Sequence, residues 1–187
     1  MTDLTLRTLD ASKAADFRSV MERASTEARK CHCTAAYVEN WKDPALAAPC
    51  RDRMFAEGKS DGFLLYQNGK AVGWCQAAPR ESLLLLVRGR NLPPDRAVWA
   101  LSCLVLVPEA KGLGLSHEFL RLVLAELRRR GVPRVQAFAC RYGAEEDTST
   151  FVEFPESLCR GAGMTLEQDH PMRPIYGLAL SRPTPPA

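Results

Sequence analysis

The chain has 187 residues, 46% of them hydrophobic and 25% charged, a composition of folded soluble domains that excludes disordered, collagen-like and coiled-coil chains. That length predicts one domain, residues 1–180, which can bury a core without staples. The formal charge, 25 basic against 22 acidic residues or +3, is too weak a surplus to make nucleic acid or a membrane surface the main partner, which leaves a small molecule or a protein.

The first ten residues, MTDLTLRTLD, carry acids and lack the apolar core of a signal peptide, so the chain is expected in the cytoplasm. Residues 5–9 read as a first strand. After Asp10 and Ser12, Phe17, Val20, Met21, Ala24 and Ala28 recur at helical spacing, which predicts one helix to about Arg29. Residues 31–58 are irregular, with Pro44 and Pro49 as breakers and a short helix over 49–56. Residues 63–66 and 71–77 are strands joined by a tight turn, for which Asn68-Gly69 is a strong signal. Residues 81–96 read as a helical turn and an exposed loop.

Residues 97–107 form a buried strand by length and by β-branched and aromatic content. These 11 residues, Ser102 among them, fall well short of the roughly 20 that span a bilayer. Residues 115–130 give the clearest helix, with Leu120, Val123, Leu124 and Leu127 on one face and Glu118, Arg121 and Arg128 opposite, ended by Gly131 and Pro133. Residues 134–140 are a strand, 157–162 a short helix stopped by Gly163, and 165–169 and 175–180 the last two strands. Three prolines in residues 181–187 predict a disordered tail. The order is α+β.

Seven cysteines, at 31, 33, 50, 75, 103, 140 and 159, are an odd number in a chain without an export signal and read as reduced thiols, mostly small core residues. Cys31, His32 and Cys33 have poor spacing for zinc, so no metal is expected.

Chemistry concentrates in residues 106–116, Leu-Val-Pro-Glu-Ala-Lys-Gly-Leu-Gly-Leu-Ser, where the buried strand ends and the amphipathic helix begins. Unpaired amides at such a joint, the helix dipole and glycines that allow close approach make an anion site. Neither a P-loop nor a dinucleotide fingerprint is present, so the phosphate belongs to another ligand.

At this point the chain resembles the GCN5-related N-acetyltransferase (GNAT) superfamily, whose acetyl-CoA motif VxPxxRGxGxG/A lies at a strand-to-helix junction. Pro108, Gly112 and Gly114 match; Lys111 stands for Arg, Leu106 for Val and Ser116 for the final Gly or Ala. The element order agrees over the whole chain, and CHC at 31–33, VGWC at 72–75 and RPI at 173–175 look like a bacterial branch. The resemblance implies a GNAT fold: a central mixed and strongly twisted sheet of six to seven strands flanked by about four helices. It also implies that the backbone of Lys111, Gly112, Leu113, Gly114, Leu115 and Ser116 holds the acetyl-CoA pyrophosphate, and that Leu104, Val105 and Leu106 pair with the pantetheine arm.

Many members protonate the departing thiolate with a tyrosine on the short helix before the LGF-like turn. Aligning GAGM with that turn puts Cys159 there, either as a thiol acid or as a small residue packed under CoA. Where some members carry a glutamate base on the motif strand, this chain has Ala100 and Ser102. The acceptor wall implied by the family takes in Cys31 and Cys33. Trp41 and Trp74 either line it or pack the core. Residues 142–158 hold five acids, Glu145, Glu146 and Asp147 among them, and no Lys or Arg; they attract a cationic acceptor or form a solvated loop. The resulting expectation is an acetyl-CoA-dependent N-acetyltransferase acting on a primary amine of a small molecule or protein by direct attack in a ternary complex, as monomer or homodimer. The alternatives are a catalytically weak CoA-binding or sensing module and a thiol-based metal or redox protein.

Overall fold

The computed structural model describes residues 3–59, 61–141 and 154–180. Asn68 and Gly69, at φ 50° and 77°, close the hairpin between β2 (Gly62–Gln67) and β3 (Lys70–Pro79). Positive φ at both loop positions gives the turn the twist that two antiparallel strands need. β1 (Leu4–Thr8) pairs antiparallel with β2, and β4 (Val98–Leu106) with β3. The long helix α5 (Leu115–Arg129) then returns the chain so that β5 (Arg134–Cys140) lies parallel to β4. β8 (Ile175–Ala179) and β7 (Thr165–Gln168) add antiparallel strands, for the order β1-β2-β3-β4-β5-β8-β7. The mixed α+β sheet is the expected one, with the two-residue β6 (Phe154–Pro155) as an additional strand beside β5.

Helices differ more from expectation. The predicted first helix is two, α1 (Ala14–Ala24) and α2 (Thr26–Cys31). Ser25 between them is extended, and its hydroxyl accepts from the Ala28 amide at 3.1 Å, so a capping serine restarts the helix inside an unbroken apolar period. The helix predicted over 49–56 is α3 (Pro44–Ala56), which begins earlier because Asp43 caps it and Pro44 occupies its first turn, where a missing N–H costs nothing. Pro49 is carried inside it. With α4 (Leu84–Gly89) and α6 (Glu156–Gly161), the described residues hold six helices rather than about four.

Two neighbours on β3 show how the layers are arranged. A Cβ on Gly73 would lie 3.0 Å from the Phe119 ring of α5, whereas Trp74 meets Phe17 of α1 edge to face at 5.0 Å. Adjacent strand residues point to opposite faces, so α1 and α5 cover opposite sides of the sheet. The apolar stripe of α5 supplies the predicted Leu120, Val123, Leu124 and Leu127 to the core, with Phe119.

Candidate functional site

Parallel pairing of β4 with β5 runs from Val98–Arg134 to Leu101–Ala137 and stops, although β4 continues to Leu106 and β5 to Cys140. Beyond that point β5 pairs with Phe154 and Pro155 of β6 instead. On the other side of β4, Gln76 faces Cys103 and Ala77 faces Leu101, so Ser102 is the extra residue of a bulge. A bulge bends its strand and increases the local twist, and this one lies one residue past the last β4–β5 pair. The edge of β4 over residues 103–106 has no strand partner toward β5 among the described residues. The side chains of Leu104, Val105 and Leu106 are buried, so this edge offers backbone groups to an extended ligand.

The loop from β4 to α5 opens just beyond that edge. Glu109 is tied to Arg23 of α1 at 2.7 Å, and the Lys111 amide donates to the Pro108 carbonyl at 3.1 Å. Lys111 therefore offers its exposed side chain and not its amide, a correction to the expected set of six amides. The amides of Gly112, Leu113, Gly114, Leu115 and Ser116 have no acceptor among the described residues, and no side chain caps α5. Gly112 and Gly114 take φ values of 76° and 73°. Nothing lies within 4 Å of a Cβ at either one, so the backbone conformation, not crowding, favours glycine here. Five amides without an acceptor at the positive end of a 15-residue helix form a cradle that can hold an anion.

On the α1 side of the sheet a buried polar network meets β4. Arg51 and Asp61 form an ion pair at 2.8 Å with both side chains almost fully buried. Arg51 also donates to the carbonyls of His32 and Cys33. Burial and Asp61 act on its guanidinium in opposite directions, and the carboxylate prevails, raising its pKa. Tyr37 donates to Asp61 at 3.2 Å. Gln76 donates to Asp61 at 2.9 Å and to the Cys33 carbonyl at 3.1 Å, and its oxygen accepts from the Ser102 hydroxyl at 2.6 Å. The sequence marked Ser102 as a polar residue in an apolar run and, with Ala100, as standing where some family members carry a glutamate base; Arg51, Asp61 and Gln76 carried no signal of this kind.

Cys31 and Cys33 are buried beneath the loop, and burial pushes the Cys31 thiol up to about 11. What this segment presents to the network is the His32 and Cys33 carbonyls, not the thiols as an acceptor wall. Trp74 has no exposed surface and takes the packing role against Phe17. Trp41 is half-buried, with the Lys42 ammonium 5.4 Å from its ring centre. Glu145, Glu146 and Asp147 lie outside the described residues.

Cys159 lies in α6, whose last turn approaches the start of α5: a Cβ on Gly161 would come within 3.2 Å of His117. Cys159 is fully buried in the main core, and burial, reinforced by Glu156, pushes its thiol up to about 12. A thiol that holds its proton so tightly is a poor donor to another thiolate. At the start of α6, Glu156 accepts from Arg141, Arg160 and Tyr176, a structural junction between α6, β5 and β8. Among the described residues no group of three or more His, Cys, Asp or Glu is placed to hold a metal, and no helix is long and apolar enough to cross a membrane.

The family model described as "Acetyltransferase (GNAT) family" matches residues 26–147. No curated protein sequence matches. Among solved structures, yncA of Salmonella typhimurium, crystallised with its cofactor acetyl-CoA, is 18% identical, with 98% of each chain covered and a TM-score of 0.57. The polyamine N-acetyltransferase of Drosophila melanogaster is 14% identical over 95% of this chain and 100% of its own, with a TM-score of 0.59. The ribosomal-protein-S18-alanine N-acetyltransferase of Escherichia coli is 14% identical over 98% and 97%, with a TM-score of 0.54. At these identities the likeness is one of fold.

Proposed function

The chain belongs to the acetyltransferase (GNAT) family, and from that premise we propose that it is an acetyl-CoA-dependent N-acetyltransferase that transfers acetyl to a primary amine by direct attack in a ternary complex. The observation that carries this reading is the parting of β4 from β5 beside the amide cradle at the start of α5. Acetyl-CoA seated there supplies the thioester. Amides 112–116 bind its pyrophosphate, with Lys111 adding a cation without arginine's fork, and the free edge of Leu104, Val105 and Leu106 pairs with the pantetheine arm. Past Leu101, where β4 no longer pairs with β5, a backbone N–H of β4 donates to the carbonyl oxygen as negative charge grows on it.

The acceptor lies on the α1 side of the sheet, where the polar network ends at the partly exposed Ser102. Residues 142–158 carry five acids without a compensating base, which favours a cationic small molecule or a lysine-like amine in the cytoplasm. Glu156 is already neutralised by Arg141 and Arg160, so that bias rests on Glu145, Glu146, Asp147 and Glu153. With the Cys159 thiol held near 12, solvent is the better source of the proton for the departing thiolate.

The test is a screen of primary amines with acetyl-CoA, read as CoA thiol released. Amine-dependent release supports the enzyme. Tight acetyl-CoA binding with no release over the panel favours the second reading, a CoA-binding module, which the lack of a well-poised proton donor at Cys159 keeps in view.

A further inference from the structure

Hydrogen-bond polarity in the buried network leaves one group with a defined orientation at the parting of the strands. Asp61 is ion-paired with Arg51 at 2.8 Å, and a carboxylate can only accept. The Cys33 carbonyl can only accept as well. Both are met by Gln76 Nε2, at 2.9 and 3.1 Å, so the amide nitrogen must face them and its oxygen must face away, toward Ser102. That oxygen cannot donate, so the 2.6 Å contact is made by the Ser102 hydroxyl hydrogen. The hydroxyl of Ser102 is thereby committed as a donor inward, and only its lone pairs remain for anything outside. Ser102 is partly exposed, unlike its neighbours Leu101 and Cys103. It is the bulged residue, next to the point where β5 leaves.

We propose that Ser102 orients the acceptor: its oxygen takes a hydrogen bond from an N–H of the attacking amine and so directs the nitrogen lone pair toward the acetyl carbon. This rests on the acetyl-transfer reading. The same polarity excludes two other roles. Ser102 cannot donate to the thioester oxygen, because its one hydrogen is used. Nor can it act as a base, because a proton gained would have to be passed to a Gln76 amide oxygen, which is not basic. Its partners Gln76, Asp61 and Arg51 act through it, as positioning residues that fix which way the hydroxyl points. A bond from the neutral amine to this oxygen joins two neutral groups, strengthened modestly by the polarised network behind it.

Thr and Val differ by a hydroxyl against a methyl, and both suit a strand, so Ser102→Thr and Ser102→Val form the deciding pair. The probes are agmatine, spermidine and a peptide beginning with alanine, each with acetyl-CoA. For whichever probe the wild type acetylates, Ser102→Val should lower kcat/KM by about 2- to 10-fold relative to Ser102→Thr, the range expected for a hydrogen bond between neutral groups. Acetyl-CoA affinity and the slow amine-independent hydrolysis of acetyl-CoA should be equal in the two variants. Equal kcat/KM in Val and Thr variants overturns the role of Ser102 while leaving the enzyme reading intact. A fall in acetyl-CoA affinity that accounts for the loss overturns it in favour of a structural effect on β4. Absence of turnover by the wild type on every probe, with acetyl-CoA bound, overturns the acetyl-transfer reading and this inference with it.

Discussion

Leu101 and Ala137 are the last residues that β4 and β5 hold in register. One residue further, Ser102 bulges toward β3's side, and the two strands never pair again. Everything assigned to the site lies beyond this pair: the free edge of β4, the amide cradle, and the end of the polar network at Ser102.

Acetyl-CoA should raise Tm. A ligand present at 100 times its Kd stabilises the folded state by about 2.7 kcal/mol, or roughly 5–10 °C for a chain of this size. Gly114→Glu should abolish the shift. Gly114 sits at φ 73°, a conformation costly for any other residue, and a carboxylate at the N-terminal end of α5 repels the anion. An unchanged shift in a folded variant would remove the cradle from the site.

Cys159→Ala should leave kcat within about 2-fold of wild type, since a thiol pushed up to about 12 contributes little as an acid. It should instead lower stability by roughly 1–2 kcal/mol, as a small cavity opens in the core. Parallel steady-state kinetics and urea denaturation separate the two effects. A loss in kcat of ten-fold or more at unchanged acetyl-CoA affinity would return Cys159 to the role of proton donor.

Acid should weaken the fold through Glu156. Its hydrogen bond from Arg141, followed by those from Tyr176 and Arg160, holds its carboxyl from the usual 4.5 down to about 2. The folded pKa lies below the unfolded one, so the stabilisation is complete above about pH 4.5 and is lost as pH falls toward 2. Urea midpoints between pH 6 and pH 2.5 should fall less steeply for Glu156→Gln than for wild type. Parallel curves would mean that the junction of α6, β5 and β8 does not depend on that charge.

Replacing Glu145 and Glu146 with Gln and Asp147 with Asn should raise KM for a cationic acceptor such as spermidine and flatten its salt dependence, with acetyl-CoA affinity unchanged. Kinetics that do not move would make the segment a solvated loop.

Much of the fold can be read locally. Asn68-Gly69 specifies its hairpin because both positions tolerate positive φ, and the apolar stripe of α5 follows from its period of 3.6 residues. Strand β5 matches its predicted bounds for the same kind of reason, a short apolar run closed by turn residues. Gly112 and Gly114 are legible because a left-handed conformation at a strand-to-helix joint needs glycine almost regardless of the surroundings. The break at Ser25 was less legible, since a serine inside an unbroken apolar period is compatible with either one helix or a cap.

Only the tertiary structure decided where β4 leaves β5, because register between strands separated by a helix depends on pairing across the sheet and not on either strand's own residues. The same holds for which tryptophan is core: Trp41 and Trp74 are chemically alike, and Phe17 of α1 settles the matter for Trp74. Arg51, Asp61, Gln76 and Ser102 are scattered along the sequence, and nothing in their spacing joins them. They become one chain of hydrogen bonds only when the loop after α2, helix α3, the residue before β2 and strands β3 and β4 converge, because the direction of a hydroxyl hydrogen is set by the partners that surround it.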